Sequence, residues 1–324
     1  MYPRLFIVVP CYNEQEVLPE TARRLKEKTD ALVRSRKIAD GSRIVFVDDG
    51  STDRTWEIIR DLHDSDRVFR GIRLSRNRGH QNALLAGLMT VCDEADACIS
   101  MDADLQDDAD AIDAMVDRFL EGTDIVYGVR SARKNDTFFK KATAEGFYKL
   151  MASMGVETVY NHADFRLMSK RALEGLARFG EKNLFLRGMI PLIGFSHDTV
   201  YYERGERKAG ESKYPFRKMV RFALEGITSL SVEPIRLITR LGFLIFFVSI
   251  AVLVYCLVRY FTGHTIQGWT TTVLSVWAIG GLIMISLGVI GEYIGKIYLE
   301  TKNRPRYIVE SYLTDETARE TGGA

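Results

Sequence analysis

From Asp102 to Asp108 the chain reads Asp-Ala-Asp-Leu-Gln-Asp-Asp, five oxygen-bearing side chains in seven residues directly after an apolar run ending at Ser100 and Met101. Crowded carboxylates repel one another unless a cation or protons neutralise them. Asp102 and Asp104 are separated by one residue and can both turn toward a cation at an irregular strand end. Mg2+ or Mn2+ takes few carboxylates and keeps positions for diphosphate oxygens, so an open pair suits a nucleoside diphosphate better than an all-protein cage. Gln106 offers a neutral oxygen. Asp107 and Asp108 are predicted to begin the next helix, where negative charge is favourable. A solvated acidic turn is the plainer alternative for the pair.

Two earlier polar clusters follow apolar runs in the same way. Pro10, Tyr12 and Glu14 succeed Leu5 to Val9; they can cradle a nucleobase and ribose, the ring by stacking and the acid by accepting hydroxyl hydrogen bonds, although Asn13 before acids is also an ordinary helix start. Asp48-Asp49-Gly50-Ser51-Thr52-Asp53 succeeds Arg43 to Val47. One acid there can accept from a base N–H or a ribose while Gly50 permits a sharp turn, with Ser51 or Thr52 as a simple helix cap the rival reading.

The elements that must carry these clusters alternate. Strands are predicted at 4–9, 43–47, 68–74, 97–101 and 124–129, and helices over about 14–36, 55–62, 82–90 and 110–120, which gives an α/β domain with a mostly parallel sheet covered on both faces. Ligands of such sheets bind outside the carboxyl ends of the strands, where the polar clusters, including 75–80, all fall. Further on, 138–154 reads as a helix, 164–168 as a short strand, 199–203 as an edge strand and 307–309 as a short extended piece.

At 324 residues and 46% hydrophobic content the chain is an ordinary globular protein in bulk, and a net charge of +1 excludes a reading as a basic nucleic-acid binder. Cys11, Cys92, Cys98 and Cys256 show no CxxC pair and are expected to be reduced. The bulk figures conceal a division, because charges nearly vanish after Arg240. Leu241 to Val258 and Thr265 to Gly291 are uncharged runs, the first about 27 Å long as a helix. They are expected to form two transmembrane helices joined near Tyr260 to His264. Arg217, Lys218, Arg221, Arg236 and Arg240 precede the pair, and Lys296, Lys302, Arg304 and Arg306 follow it, so the positive-inside rule puts both termini in the cytosol. Leu5 to Val9 is too short and lacks the basic start of a signal peptide. Apolar residues at helical spacing over 214–232, with a basic opposite side, predict a helix in the membrane interface, for which packing on the soluble core is the alternative. The chain thus divides into a cytosolic domain 1–213, an interface region 214–236, two membrane helices within 237–299 and a tail 300–324. Gly288 and the pair Gly291 and Gly295 suit helix pairing in a homo-oligomer or close packing inside the hairpin.

The stretches VVPCYNE, VDDGSTD, MDADLQDD and DFRLMS, in this order, closely resemble family 2 glycosyltransferases with the A-type nucleotide-sugar fold. Within that family the likeness is to dolichyl-phosphate mannose synthases and bacterial polyprenyl-phosphate glycosyltransferases, and it covers roughly residues 4 to 214. The resemblance implies that Pro10, Tyr12, Glu14 and Asp49 hold the nucleoside, that Asp102, Asp104 and Gln106 hold Mg2+ or Mn2+ with the donor diphosphate, and that Arg130 faces the donor. Arg207 and Lys213 match phosphate-binding positions of a basic loop. Asp164 matches an acid beside the reacting centre, orienting the acceptor or sugar or serving as a base. His80 and His162 are polar neighbours, read as a helix-start and a loop histidine. The implied activity is an inverting transfer from a nucleoside diphosphate sugar to polyprenyl phosphate at a bacterial cytoplasmic membrane. A membrane synthase acting on a hydroxyl lacks support, since no QxxRW motif is present; a non-catalytic nucleotide-sugar-binding subunit is opposed by the intact acidic run.

Overall fold

The computed structural model describes residues 2–131, 162–203, 231, 233–262 and 268–314. The chain forms two compact units, one comprising residues 1–148, 157–215 and 304–324, the other 149–156 and 216–303.

The first unit is built on a mixed eight-stranded sheet. Its strands are β1 (Leu5–Cys11), β2 (Arg43–Asp48), β3 (Phe69–Leu74), β4 (Ala97–Ser100), β5 (Ile125–Arg130), β6 (His162–Ser169), β7 (His197–Tyr202) and β8 (Val309–Leu313). They lie in the order β7-β5-β6-β4-β1-β2-β3-β8. The central strands β4, β1, β2 and β3 are parallel, as is the β5–β7 pair. Strand β6 runs antiparallel between β4 and β5, and β8 antiparallel on the edge of β3.

Every residue of β1 is buried, as expected of a strand covered on both faces. Ile7 and Val9 face one hydrophobic cluster with Leu25 and Leu32 of α1 (Leu18–Arg34), Ile59 of α2 (Thr55–Ser65) and Met115 of α4 (Ala111–Leu120). Phe6 and Val8 face the other, with Leu84 and Leu88 of α3 (His80–Val91), Leu173 of α5 (Lys170–Ala177) and Leu186 of α6 (Leu186–Leu192). Helix α3 presses so closely on the sheet that a Cβ on Gly87 would lie 2.4 Å from Val8 and 2.7 Å from Val47. Glycine there sets the depth of α3 and hence the position of its first residue, His80.

The antiparallel direction of β6 has a chemical effect. Ser100 at the end of β4 is in register with Arg166, so the start of β6, with Asp164, lies at the same sheet edge as Asp102. Strand β7 begins and ends slightly earlier than the predicted 199–203, and the predicted extended piece at 307–309 becomes β8 at 309–313. His162 stands in β6 rather than in a loop.

The second unit contains α7 (Glu233–Phe261) and α8 (Trp269–Thr301), of 29 and 33 residues. Both are long and apolar enough to cross a membrane. Phe243, Leu244, Phe247, Met284 and Ile285 are among their exposed apolar side chains. The helix expected over 138–154, that expected over 214–232 apart from Ser231, and Arg207 and Lys213 lie outside the described residues. Cys11, Cys92 and Cys98 are free and buried, in line with the expected reduced state.

Candidate active site at the carboxyl edge of the sheet

The loops after β1, β2 and β3 hold one another through short polar contacts. Asn13 adopts the left-handed conformation, with φ of 55°. Its N–H donates to Ser51 Oγ at 3.0 Å and its Oδ1 accepts from the Thr52 N–H at 2.9 Å. Ser51 and Thr52 therefore fasten two loops and do not cap α2, which starts at Thr55. Asp49, 2% exposed, accepts from the backbone N–H groups of Arg78 at 2.7 Å and Gly79 at 2.8 Å, one on each oxygen. Burial pushes its carboxyl up, against the lowering effect of those two donors. Gly50 makes the turn at φ 68°, and a Cβ there would meet the Arg76 and Asn77 backbone at 2.7 Å. Pro10, Tyr12, Glu14, Asp49, Asn77 and His80 line one cavity of about 240 Å³. The four residues expected to hold a nucleoside are thus brought together, with Tyr12 half exposed.

The acidic loop is fixed differently. Met101 N–H donates to Val8 O at 3.1 Å, and Thr21 Oγ1 of α1 donates to the Ala103 carbonyl at 2.7 Å. Leu105 is left-handed at φ 53°, a conformation that costs a non-glycine residue about 1–3 kcal/mol and needs surrounding anchors. One anchor is Asp104, whose Oδ1 accepts the Gln106 N–H at 3.1 Å.

Asp107 differs from its sequence reading. Rather than opening α4 it is 2% exposed, and its Oδ1 accepts from Arg130 Nε and Nη2 at 3.2 and 3.0 Å and from the Tyr202 hydroxyl. Two cationic and phenolic donors from strand ends outweigh the weak pull of a helix start four residues away. Asp108 does serve the turn before α4, accepting the Asp110 N–H at 2.9 Å. Arg130, expected to face the donor, is engaged with Asp107 and with Tyr202 Oη at 3.2 Å.

His80 joins the cavity to the acidic loop. Its Nε2 lies 3.4 Å from Asp102 Oδ1 and 3.7 Å from Asp164 Oδ2. Burial would lower the imidazole pKa, but Asp164 and Asp102 outweigh it and raise the value, favouring the cation. Asp102 is pushed up to about 6, chiefly by burial, against the opposing charge of His80. Asp164 is 9% exposed. It accepts from Arg166 and is gripped by Arg187 through Nε at 3.2 Å and Nη2 at 3.0 Å. Burial would raise Asp164, yet His80, Arg166 and Arg187 hold it well below the usual carboxylate range, which makes it a poor proton acceptor.

Among the described residues no three His, Cys, Asp or Glu side chains are arranged to hold a metal ion by themselves. Asp102 Oδ1 is buried without a hydrogen-bond partner. This oxygen, with Asp104 and Gln106 on the same turn, fits an open oxygen site that a diphosphate would complete. Sequence reading did not identify Arg166, Arg187 or Tyr202 as site residues. Arg166 shares a strand face with Asp164 by its i, i+2 spacing, and Arg187 is the only charge between Asn183 and Phe195; both signals were available.

A family model described as Glycosyl transferase family 2 matches residues 6–176. The uncharacterized glycosyltransferase YkoT of Bacillus subtilis (strain 168) is 51% identical over 314 residues, covering 97% of this chain and 93% of the relative. The bactoprenol glucosyl transferase of Shigella phage SfX is 38% identical over 313 residues, covering 95% and 99%. Among solved structures, the mannosyltransferase PcManGT from Pyrobaculum calidifontis in complex with GDP-Man and Mn2+ aligns with a TM-score of 0.45 at 17% identity, over 82% of this chain and 84% of that one. The chain belongs to glycosyl transferase family 2, and its mixed, mostly parallel sheet followed by two apolar helices agrees with the expected A-type fold.

Proposed function

We propose that this family 2 glycosyltransferase moves a sugar, with inversion, from a UDP- or GDP-linked donor to polyprenyl phosphate. The observation that carries the reading is the convergence of Asp102, His80, Asp164 and Arg187 beside the cavity lined by Pro10, Tyr12, Glu14 and Asp49. The lipid acceptor is supported by near full-length similarity to a bactoprenol glucosyl transferase.

In this reading the nucleoside occupies the cavity, with Tyr12 against the base and Glu14 toward the ribose. Asp102, Asp104 and Gln106 hold Mg2+ or Mn2+, which when bound neutralises charge on the departing diphosphate. An acceptor phosphate oxygen attacks the anomeric carbon; the bond to the diphosphate oxygen breaks, and the nucleoside diphosphate leaves with the bonding pair. A phosphate monoester has its second pKa at about 6 and is largely ionised at neutral pH, so no general base is required. The obstacle is the approach of two anions, which Arg207 and Lys213 offset at the acceptor. Asp164, held ionised by Arg166 and Arg187, orients the sugar or acceptor through its fixed position.

The same proposal places residues 1–213 as the catalytic domain, 214–236 at the interface, 237–299 as a membrane hairpin and 300–324 as a tail on the catalytic side. Pairing of β8 with β3 supports this, because the chain joins one sheet both before α7 and after α8 and must return to the side it left. The basic flanks favour the cytoplasmic face. The test is to incubate purified full-length protein with undecaprenyl phosphate, Mn2+ and a panel of UDP- and GDP-sugars, and to weigh the lipid products. A phosphoglycolipid from one donor is expected; absence of product from every donor overturns the reading.

A further inference from the structure

Asp107, Arg130 and Tyr202 come from three separate places: the loop after β4, the end of β5 and the end of β7. They meet on one oxygen, Asp107 Oδ1, which accepts from the Arg130 guanidinium and the Tyr202 hydroxyl. Arg130 Nε also reaches Tyr202 Oη at 3.2 Å, so each member touches the other two. The register explains the meeting, since Arg130 and Tyr202 are paired at the ends of parallel neighbours. The Tyr202 ring is held edge-on to Phe165, with centroids 5.4 Å apart, and Phe165 directly follows Asp164.

Asp107 directly follows Gln106 and lies two residues after left-handed Leu105. Together with the Thr21 contact with Ala103 and the local Asp104 turn, this three-residue junction anchors the far end of the acidic loop. Arg130 pairs with one oxygen of Asp107 and so offsets part of its charge, although Asp107 still adds to the negative field that raises Asp102. On the other side, Tyr202 is the last residue of β7, five positions before Arg207.

We propose that Asp107, Arg130 and Tyr202 form a clamp that positions the cation-holding loop, with Tyr202 linking that loop to the end of β7. Tyr202 and Asp107 are positioning residues that touch no substrate and act through Gln106 and its neighbours. The inference rests on the placement of the cation at Asp102, Asp104 and Gln106.

The test measures Mn2+ binding to the purified full chain by loss of the free-ion EPR signal, in the presence of UDP and, separately, GDP. Tyr202→Phe removes one hydroxyl and keeps the ring on Phe165. It is expected to weaken Mn2+ binding about ten-fold, the usual scale for groups that orient metal ligands. The metal concentration for half-maximal transfer should rise by the same factor while kcat at saturating Mn2+ falls much less. Asp107→Asn provides the same readout should Tyr202→Phe fail to fold. Wild-type Mn2+ affinity in the folded variant overturns the clamp alone, as does a fall in kcat at unchanged metal affinity. Absence of Mn2+ binding by the wild-type protein overturns the metal placement and the clamp with it.

Discussion

At the β1–β2–β3 end of the sheet edge, loops are joined by side chains bonding to backbone, as in Asp49 with the N–H groups of Arg78 and Gly79 or Asn13 with Ser51 and Thr52. At the β4–β5–β6–β7 end, charged side chains bond to one another, as in Asp164 with Arg166 and Arg187 or Asp107 with Arg130. The first arrangement braces a cavity lined by Tyr12, Glu14, Asp49 and His80, which in the proposed function takes a flat base and a ribose. The second holds buried carboxylates against guanidinium groups, which fixes their positions where the proposed function brings diphosphate and phosphate groups together. The two ends touch at His80, which lines the cavity and faces both Asp102 and Asp164.

If the halves divide the work in this way, damage to the β4–β5–β6–β7 end should abolish chemistry and damage to the β1–β2–β3 end should weaken donor binding. Removing divalent metal with EDTA is expected to reduce lipid-linked product below detection, and added Mn2+ or Mg2+ to restore it. Asp164→Asn keeps shape but loses charge and should lower kcat by about 10²-fold, in the range seen when one preorganised polar group is lost. Arg187→Ala leaves Arg166 and His80 on Asp164, so a smaller fall of about ten-fold is expected in the same steady-state assay. Tyr12→Ala should raise the donor KM by roughly ten-fold, the scale of one base-stacking contact, with kcat little changed. Asp49→Asn tests the contacts that hold the β1–β2–β3 end together. Weakening the charge-assisted bonds to the backbone N–H groups of Arg78 and Gly79 should cost about 1–3 kcal/mol, seen as a lower melting temperature together with a higher donor KM. A kcat defect without a KM change in Tyr12→Ala would erase the distinction between the halves.

The same division decides what could be read from the amino-acid order. The β1–β2–β3 end is written in contiguous motifs at the ends of strands that alternate with helices, so Pro10, Tyr12, Glu14 and Asp49 were legible as a group. Asp102, Asp104 and Gln106 were legible for the same reason. Asp164 entered only through resemblance, because an antiparallel strand inserted between β4 and β5 is not announced by strand–helix alternation. Arg187 stands in a short helix whose register against β6 depends on long-range packing. Asp107 looked like a helix-start acid because its inward partners, Arg130 and Tyr202, lie 23 and 95 residues away. The apolar helices were visible from charge depletion alone, although α7 and α8 extend well beyond the uncharged runs.

The most direct test of the account compares wild-type protein with Asp104→Ala in one assay: transfer from the productive nucleoside diphosphate sugar to undecaprenyl phosphate with Mn2+, followed by mass spectrometry of the lipid. The account predicts a lipid-linked phosphosugar from the wild type and at least about a 10³-fold lower rate from the variant. Full activity in Asp104→Ala, or sugar appearing on no phosphate lipid, would contradict it.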